Sequence, residues 1–181
     1  MYKIMIIRHG EKPEGKVRGV GADGSKNSRD LTPQGWQRAG ALVRYFNPKP
    51  TAALGLGLST PVAIFASRAE NGQKSRRPRQ TVTPLADALG LAVDRSFGHG
   101  SASGLVQAAL KVPGPVLVCW HHEGIPALVK LFAPSLACPQ VWPERRFDIV
   151  WVLDQETTTS PWMLMQVPQL LLAGDSPDTI A

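Results

Sequence analysis

The chain has 181 residues, 43% hydrophobic and 19% charged, which suits one globular domain with a sizeable core and excludes a disordered polymer. No apolar run approaches the roughly 20 residues of a membrane helix, and the opening MYKIMIIRHG is too short and too soon charged for a secretory signal; a cytoplasmic location and no membrane partner are expected. The net charge of +6 is uneven, with 15 Lys/Arg against 5 Asp/Glu over Met1 to Thr81 and 5 against 9 afterwards, so the first half draws anions.

Apolar runs alternating with helical patterns predict an α/β domain. Tyr2 to Ile7 (YKIMII) reads as a short buried strand. A Gly- and charge-rich loop follows over 11–30, long enough to suggest a functional cover. Thr32 then caps a helix with Pro33 at its first position, and Trp36, Ala39, Val43 and Phe46 form its apolar stripe. Pro61 to Ala66 is a second strand. The helical pattern over Arg77 to Leu89 contains Pro84, which predicts a kink or a later start.

Leu91 to Asp94 reads as a short strand, Ala102 to Lys111 as a small helix, and Pro115 to Trp120 as a strand. Ile125 to Phe132 is a helix with Pro126 in its first turn. Phe147 to Leu153 and Trp162 to Val167, separated by DQETTTSP, are expected to close the sheet as an antiparallel pair. The domain is expected to span 1–172, and 173–181 to be a loose C-terminal tail with little to pack.

Four signals point away from other chemistries. Gly19, Gly21 and Gly24 satisfy a G-x-G-x-x-G pattern, but no strand precedes it and no helix follows, so no nucleotide cradle is expected. Cys119 and Cys138 have no metal or redox spacing and read as free thiols. The pair His121-His122 is half of a zinc set at most: the chain has four histidines, with no H-x-x-x-H. No metal and no cofactor are expected. The cations of the first half are not interleaved with aromatic residues as base stacking requires, so no nucleic-acid partner is expected either.

Ligands of open α/β sheets bind outside the carboxyl ends of the strands. Those ends carry Arg8-His9-Gly10-Glu11, Ser67-Arg68 and His121-His122-Glu123, with Arg77 at a helix start. Two histidines and one or two arginines at one edge suit phosphoryl transfer, whose transition state spreads charge over three equatorial oxygens. Planar guanidinium forks match those oxygens, and a neutral imidazole is a competent nucleophile.

These residues resemble the histidine phosphatase superfamily, with the phosphoglycerate mutase-like fold. IIRHGEKP (Ile6 to Pro13) is similar to its signature, LTPQGWQRAGAL (Leu31 to Leu42) to its L-T-x-x-G-x-x-Q-A helix, and FASRAENGQKSRRPRQT (Phe65 to Thr81) to its second arginine segment, lengthened by an insertion after Ser67. VLVCWHHEGIPAL (Val116 to Leu128) resembles the segment of the second histidine, which precedes an isoleucine by four positions; Ile125 selects His121.

The resemblance covers about Met1 to Leu131 and implies a three-layer α/β sandwich with a mostly parallel sheet between helices. It also implies a nucleophile at His9, a phosphate pocket of Arg8, Arg77 and His121, and substrate-lining roles for Ser67, Glu11, His122 and Glu123. The expected substrate is a small phosphorylated molecule or a phosphoprotein. The implied activity is hydrolysis of a phosphomonoester or phosphohistidine, with a non-catalytic phosphate-binding module and a phosphoglycerate mutase as alternatives. One departure concerns the proton donor. The family's carboxylic acid falls 25–30 residues beyond the second arginine or directly after the second histidine. Here the stretch around the first place, Ser96 to Leu105 (SFGHGSASGL, 19–28 residues beyond Arg77), has no acid and the second is His122, leaving Glu123, Glu11 and His99 as candidates.

Overall fold

The computed structural model describes residues 1–69 and 75–181; part of the insertion after Ser67 lies outside the described residues. Six strands form one sheet in the order β3-β2-β4-β1-β5-β6. They are β1 (Tyr2–Arg8), β2 (Ala63–Ala66), β3 (Val93–Asp94), β4 (Val116–Trp120), β5 (Ile149–Gln155) and β6 (Met163–Pro168). The first four are mutually parallel, while β5 and β6 run antiparallel, as expected for the closing pair.

Side chains of a strand alternate between faces, so each run of β1 and β4 serves two cores. Ile4, Ile6, Val116, Val118 and Trp120 pack on one face against α3 (Ala102–Ala109) and α4 (Ile125–Phe132). Met5, Ile7, Leu117 and Cys119 pack on the other against α1 (Pro33–Phe46) and α2 (Arg77–Leu89). This is the three-layer sandwich that the resemblance implied. Among the described residues no helix is long and apolar enough to cross a membrane.

The α1 cap forms as read, with the Thr32 hydroxyl accepting from the Gly35 amide at 3.2 Å. The buried face of α1 is Gly35, Arg38, Ala39, Leu42 and Phe46, so Trp36 and Val43 lie beside it rather than on it. Trp36 faces the 11–30 loop and donates Nε1–H to the Val20 carbonyl at 2.7 Å. Helix α2 starts at Arg77 and runs through Pro84. Both cysteines are free, and Cys119 is buried.

The expectation of a loose tail is corrected. Ile180 is buried in the core beside Trp151, and its amide and carbonyl both bond the Gln166 side chain, at 2.9 and 2.8 Å. Ser176 donates its amide to Asp148 at 2.6 Å. One apolar side chain, Ile180, and a few polar contacts with distant residues hold a segment that has no periodicity of its own.

The 11–30 loop also has internal order. Glu14 bridges Val17, Val20 bridges Lys26, and the Asn27 amide bonds the Gly19 carbonyl at 2.9 Å. At Gly19 a Cβ would collide with the carbonyls of Asn27 and Asp30. That glycine serves the loop's own fold.

Candidate active site

The register of the parallel strands creates the site. Ile7 pairs with Cys119, Arg8 with Trp120, and Ala66 with Cys119, so β1, β2 and β4 end together. The next amides extend the ladder: His9 N–H donates to the Trp120 carbonyl at 3.1 Å and Ser67 N–H to Cys119 at 3.0 Å. His9, Ser67 and His121 therefore leave the sheet at one edge.

His9 is 2% exposed. Its Nδ1 lies 2.7 Å from the Gly10 carbonyl. A carbonyl only accepts, so Nδ1 carries the proton and Nε2 keeps the lone pair. Burial, aided by the charges of Arg77, Arg8 and His121, pushes its pKa well below 6.5. The ring is a neutral base with a defined tautomer. It meets the His121 ring edge-on, with centroids 5.4 Å apart.

The position of His9 is held from α1 and α2. The Gly10 amide donates to the Thr81 hydroxyl at 2.8 Å, and that hydroxyl donates to the Arg77 carbonyl, also at 2.8 Å. Thr32 donates its amide to the Glu11 carbonyl at 3.0 Å. A Cβ on Gly35 would lie 2.8 Å from that same carbonyl, so glycine is what lets α1 approach.

Arg8 is fully buried. Its Nη1 donates to the carbonyls of Pro143, Glu144 and Arg146, and the Phe147 ring lies 3.8 Å from its guanidinium carbon. Its Nε and Nη2 have no partner, although both are buried. Unpaired buried donors are costly, and an oxyanion would satisfy them. Burial lowers the pKa to about 10, partly countered by Glu123 and Glu144, so the group stays cationic at neutrality.

Arg77 opens α2 and donates Nη1–H to the Ser28 carbonyl at 3.2 Å, leaving a buried Nε unpartnered. Burial lowers its pKa, while Asp30 and Glu123 oppose the shift. Its charge is close enough to depress both His9 and His121. His121, 5% exposed, is pushed to about 4, first by burial and then by His99. Arg8, His9, Arg77 and His121 thus lie near one another at the sheet edge.

The other expected residues divide. Ser67 is buried at the same edge, with its hydroxyl 3.4 Å from the Arg68 carbonyl. His122 and Glu123 pair with each other, Nδ1 to Oε2 at 3.1 Å, and Glu123 is 65% exposed. Burial raises the Glu123 pKa, but a backbone hydrogen bond and the charges of His122, His121 and Arg8 outweigh it and leave the carboxyl ionised.

Glu11 is reassigned: its Oε1 accepts from Arg38 Nε at 3.0 Å and Nη2 at 2.8 Å. An arginine within the core face of α1 needs a carboxylate, and Glu11 supplies it. Sequence reasoning missed Thr81 as the bridge, although its motif was recognised, and missed Phe147 and the 143–146 carbonyls, which carried no local signal. Among the described residues, no group of three His, Cys, Asp or Glu side chains is arranged to hold a metal ion.

No family model and no curated protein matches the sequence. Solved structures do match. The protein histidine phosphatase SixA, in a complex with tungstate, aligns at TM-score 0.55 over 92% of this chain and 97% of its own, with 17% identity. This chain has the histidine phosphatase fold. A mycobacterial glucosyl-3-phosphoglycerate phosphatase in complex with VO3 shares that fold at TM-score 0.56 and 14% identity, over 90% of this chain and 96% of its own. A phosphoserine phosphatase from Entamoeba histolytica does so at 0.51 and 14%, over 91% and 95%. The histidine phosphatase fold accounts for the edge at which His9 and His121 meet; the residue contacts above are this chain's own.

Proposed function

We propose that the protein is a phosphatase that hydrolyses a phosphorylated substrate, a phosphomonoester or phosphohistidine, through a phosphohistidine on His9, without a metal ion. The observation that carries this reading is the Nδ1–H bond from His9 to Gly10, which leaves Nε2 unprotonated beside a second histidine and two arginines. Such a nucleophile needs no separate base. Arg8 and Arg77 supply fixed donors for the transferring oxygens. The solved structures described above that share the fold are phosphatases, which supports the reading at the level of phosphate-ester chemistry.

In the first step Nε2 attacks phosphorus and the leaving oxygen departs on the opposite side. In the second, water attacks the phosphohistidine and the electron pair of the P–N bond returns to the ring. Among the sequence's acid candidates, Glu11 is held by Arg38 and Glu123 by His122. That observation favours good leaving groups and keeps a non-catalytic phosphate-binding module as the second reading.

Turnover of p-nitrophenyl phosphate in excess chelator tests the proposal. The wild type should turn over and His9→Ala should not. Full, chelator-sensitive turnover by His9→Ala contradicts the mechanism; vanadate binding without hydrolysis of any ester supports the module.

A further inference from the structure

We infer that His99 is the proton donor to the leaving group, in the place of a carboxylic acid; the inference rests on the phosphohistidine chemistry proposed above. Three histidine rings are contiguous. His9 is buried, His121 stands edge-on to it with centroids 5.4 Å apart, and His99, which is exposed, has its ring centroid 5.3 Å from that of His121.

In-line displacement puts the leaving oxygen opposite the attacking atom. His9 and Arg8 are buried, and the exposed His99 borders His121 on the open side of the site, the side left for a leaving group.

His99 is held there rather than left to wander. Its ring stacks on Trp120, centroids 5.7 Å apart and planes at 28°. It packs over Gly124, where an added Cβ would lie 2.7 Å from Trp120 Nε1 and 2.9 Å from His99 Cε1, so a larger residue there would displace one of the two rings. Its backbone sits in a 3₁₀ turn, His99–Ser101, tied by Ser101 N–H to the Gly98 carbonyl at 3.0 Å and by Gly98 N–H to the Ser101 hydroxyl at 3.0 Å. Arg68 N–H anchors the preceding loop through the Phe97 carbonyl at 2.7 Å.

The competing carboxylates have basic partners. Glu11 binds Arg38 through Oε1, its Oε2 being buried without a partner, and Glu123 is paired with His122 and held ionised. Imidazole is the side chain best suited to give and take a proton near neutrality.

The proton balance closes over one cycle. As the His9 Nε2–P bond forms and the P–O bond breaks, the His99 imidazolium gives its proton to the departing oxygen and becomes neutral. When water attacks the phosphohistidine, neutral His99 takes the water proton, the P–N bond breaks, and inorganic phosphate leaves.

The test is rapid-quench phosphorylation of the protein under single-turnover conditions with two esters. One, p-nitrophenyl phosphate, has a leaving group that needs little protonation; the other, ethyl phosphate, needs it fully. General acid catalysis contributes about 10²–10⁴-fold. His99→Ala should therefore raise the ratio of the two phosphorylation rates, p-nitrophenyl over ethyl, by about 100-fold or more. His99→Gln, which keeps a polar side chain without an acidic proton, should do the same. An unchanged ratio, with both esters slowed equally or neither slowed, overturns the assignment of His99. A wild-type protein that forms no phosphoenzyme with either ester overturns the proposed function itself.

Discussion

Arg38 and Asp175, 137 positions apart, share a two-point ion pair, Nη2 to Oδ1 at 2.7 Å and Nη1 to Oδ2 at 3.1 Å. The same guanidinium holds Glu11, two residues beyond His9, and Gln169. The end of the chain is thereby fastened to the loop that carries the nucleophile. Without Asp175 the Arg38 charge is still met by Glu11 but loses two hydrogen bonds, a cost of about 1–3 kcal/mol. Asp175→Ala should lower the unfolding free energy by that order in a urea titration, and the last residues should become sensitive to protease.

The Thr81 hydroxyl joins the Gly10 amide to the Arg77 carbonyl, so it sets the distance between nucleophile and second arginine. Thr81→Val keeps the shape but leaves the buried Gly10 N–H without a partner, a loss of about 1–3 kcal/mol. Displacement of His9 should also lower kcat, by up to about 10²-fold. Thr81→Ser should restore both, as read by thermal unfolding and steady-state rates.

Anion binding should take up a proton at His121. Burial and neighbouring cations place its pKa at about 4, so the ring is neutral at pH 7. A bound oxyanion adds negative charge and raises that value. Vanadate affinity should therefore increase as pH falls from 7 toward 5. Calorimetry in buffers of different ionisation enthalpy should report the uptake, and His121→Gln should abolish it.

The same group shapes stability. Its folded pKa of about 4 lies below the ordinary 6.5. A fold that prefers the neutral ring is favoured fully above 6.5, and this contribution is lost as pH falls toward 4. His121→Gln should flatten the decline in urea midpoint across that window.

Much of the site was legible because it follows strand ends. The apolar runs of β1, β2 and β4 are short and unambiguous, so the sequence alone puts Arg8, His9, Ser67 and His121 at strand ends. What was hidden depends on distant partners. Arg38 lies on the buried face of α1 because Glu11 and Asp175 meet its charge there, and a stripe of apolar residues cannot include it. Glu11 reads as a ligand of the substrate until Arg38 claims it. Ile180 looks loose without Gln166 and Trp151, and Phe147 reads as a strand residue although it covers Arg8. The fields that set the pKa values of His9 and His121 likewise come from residues far apart in sequence.

The central claim is a covalent phosphate on His9. Wild-type protein mixed rapidly with labelled p-nitrophenyl phosphate and quenched in alkali should yield an alkali-stable, acid-labile phosphoprotein. Peptide mapping should place the label on His9, and His9→Ala should not be labelled. An alkali-labile label on another residue, or turnover of the wild type in which no labelled protein accumulates and His9→Ala is equally active, would contradict it.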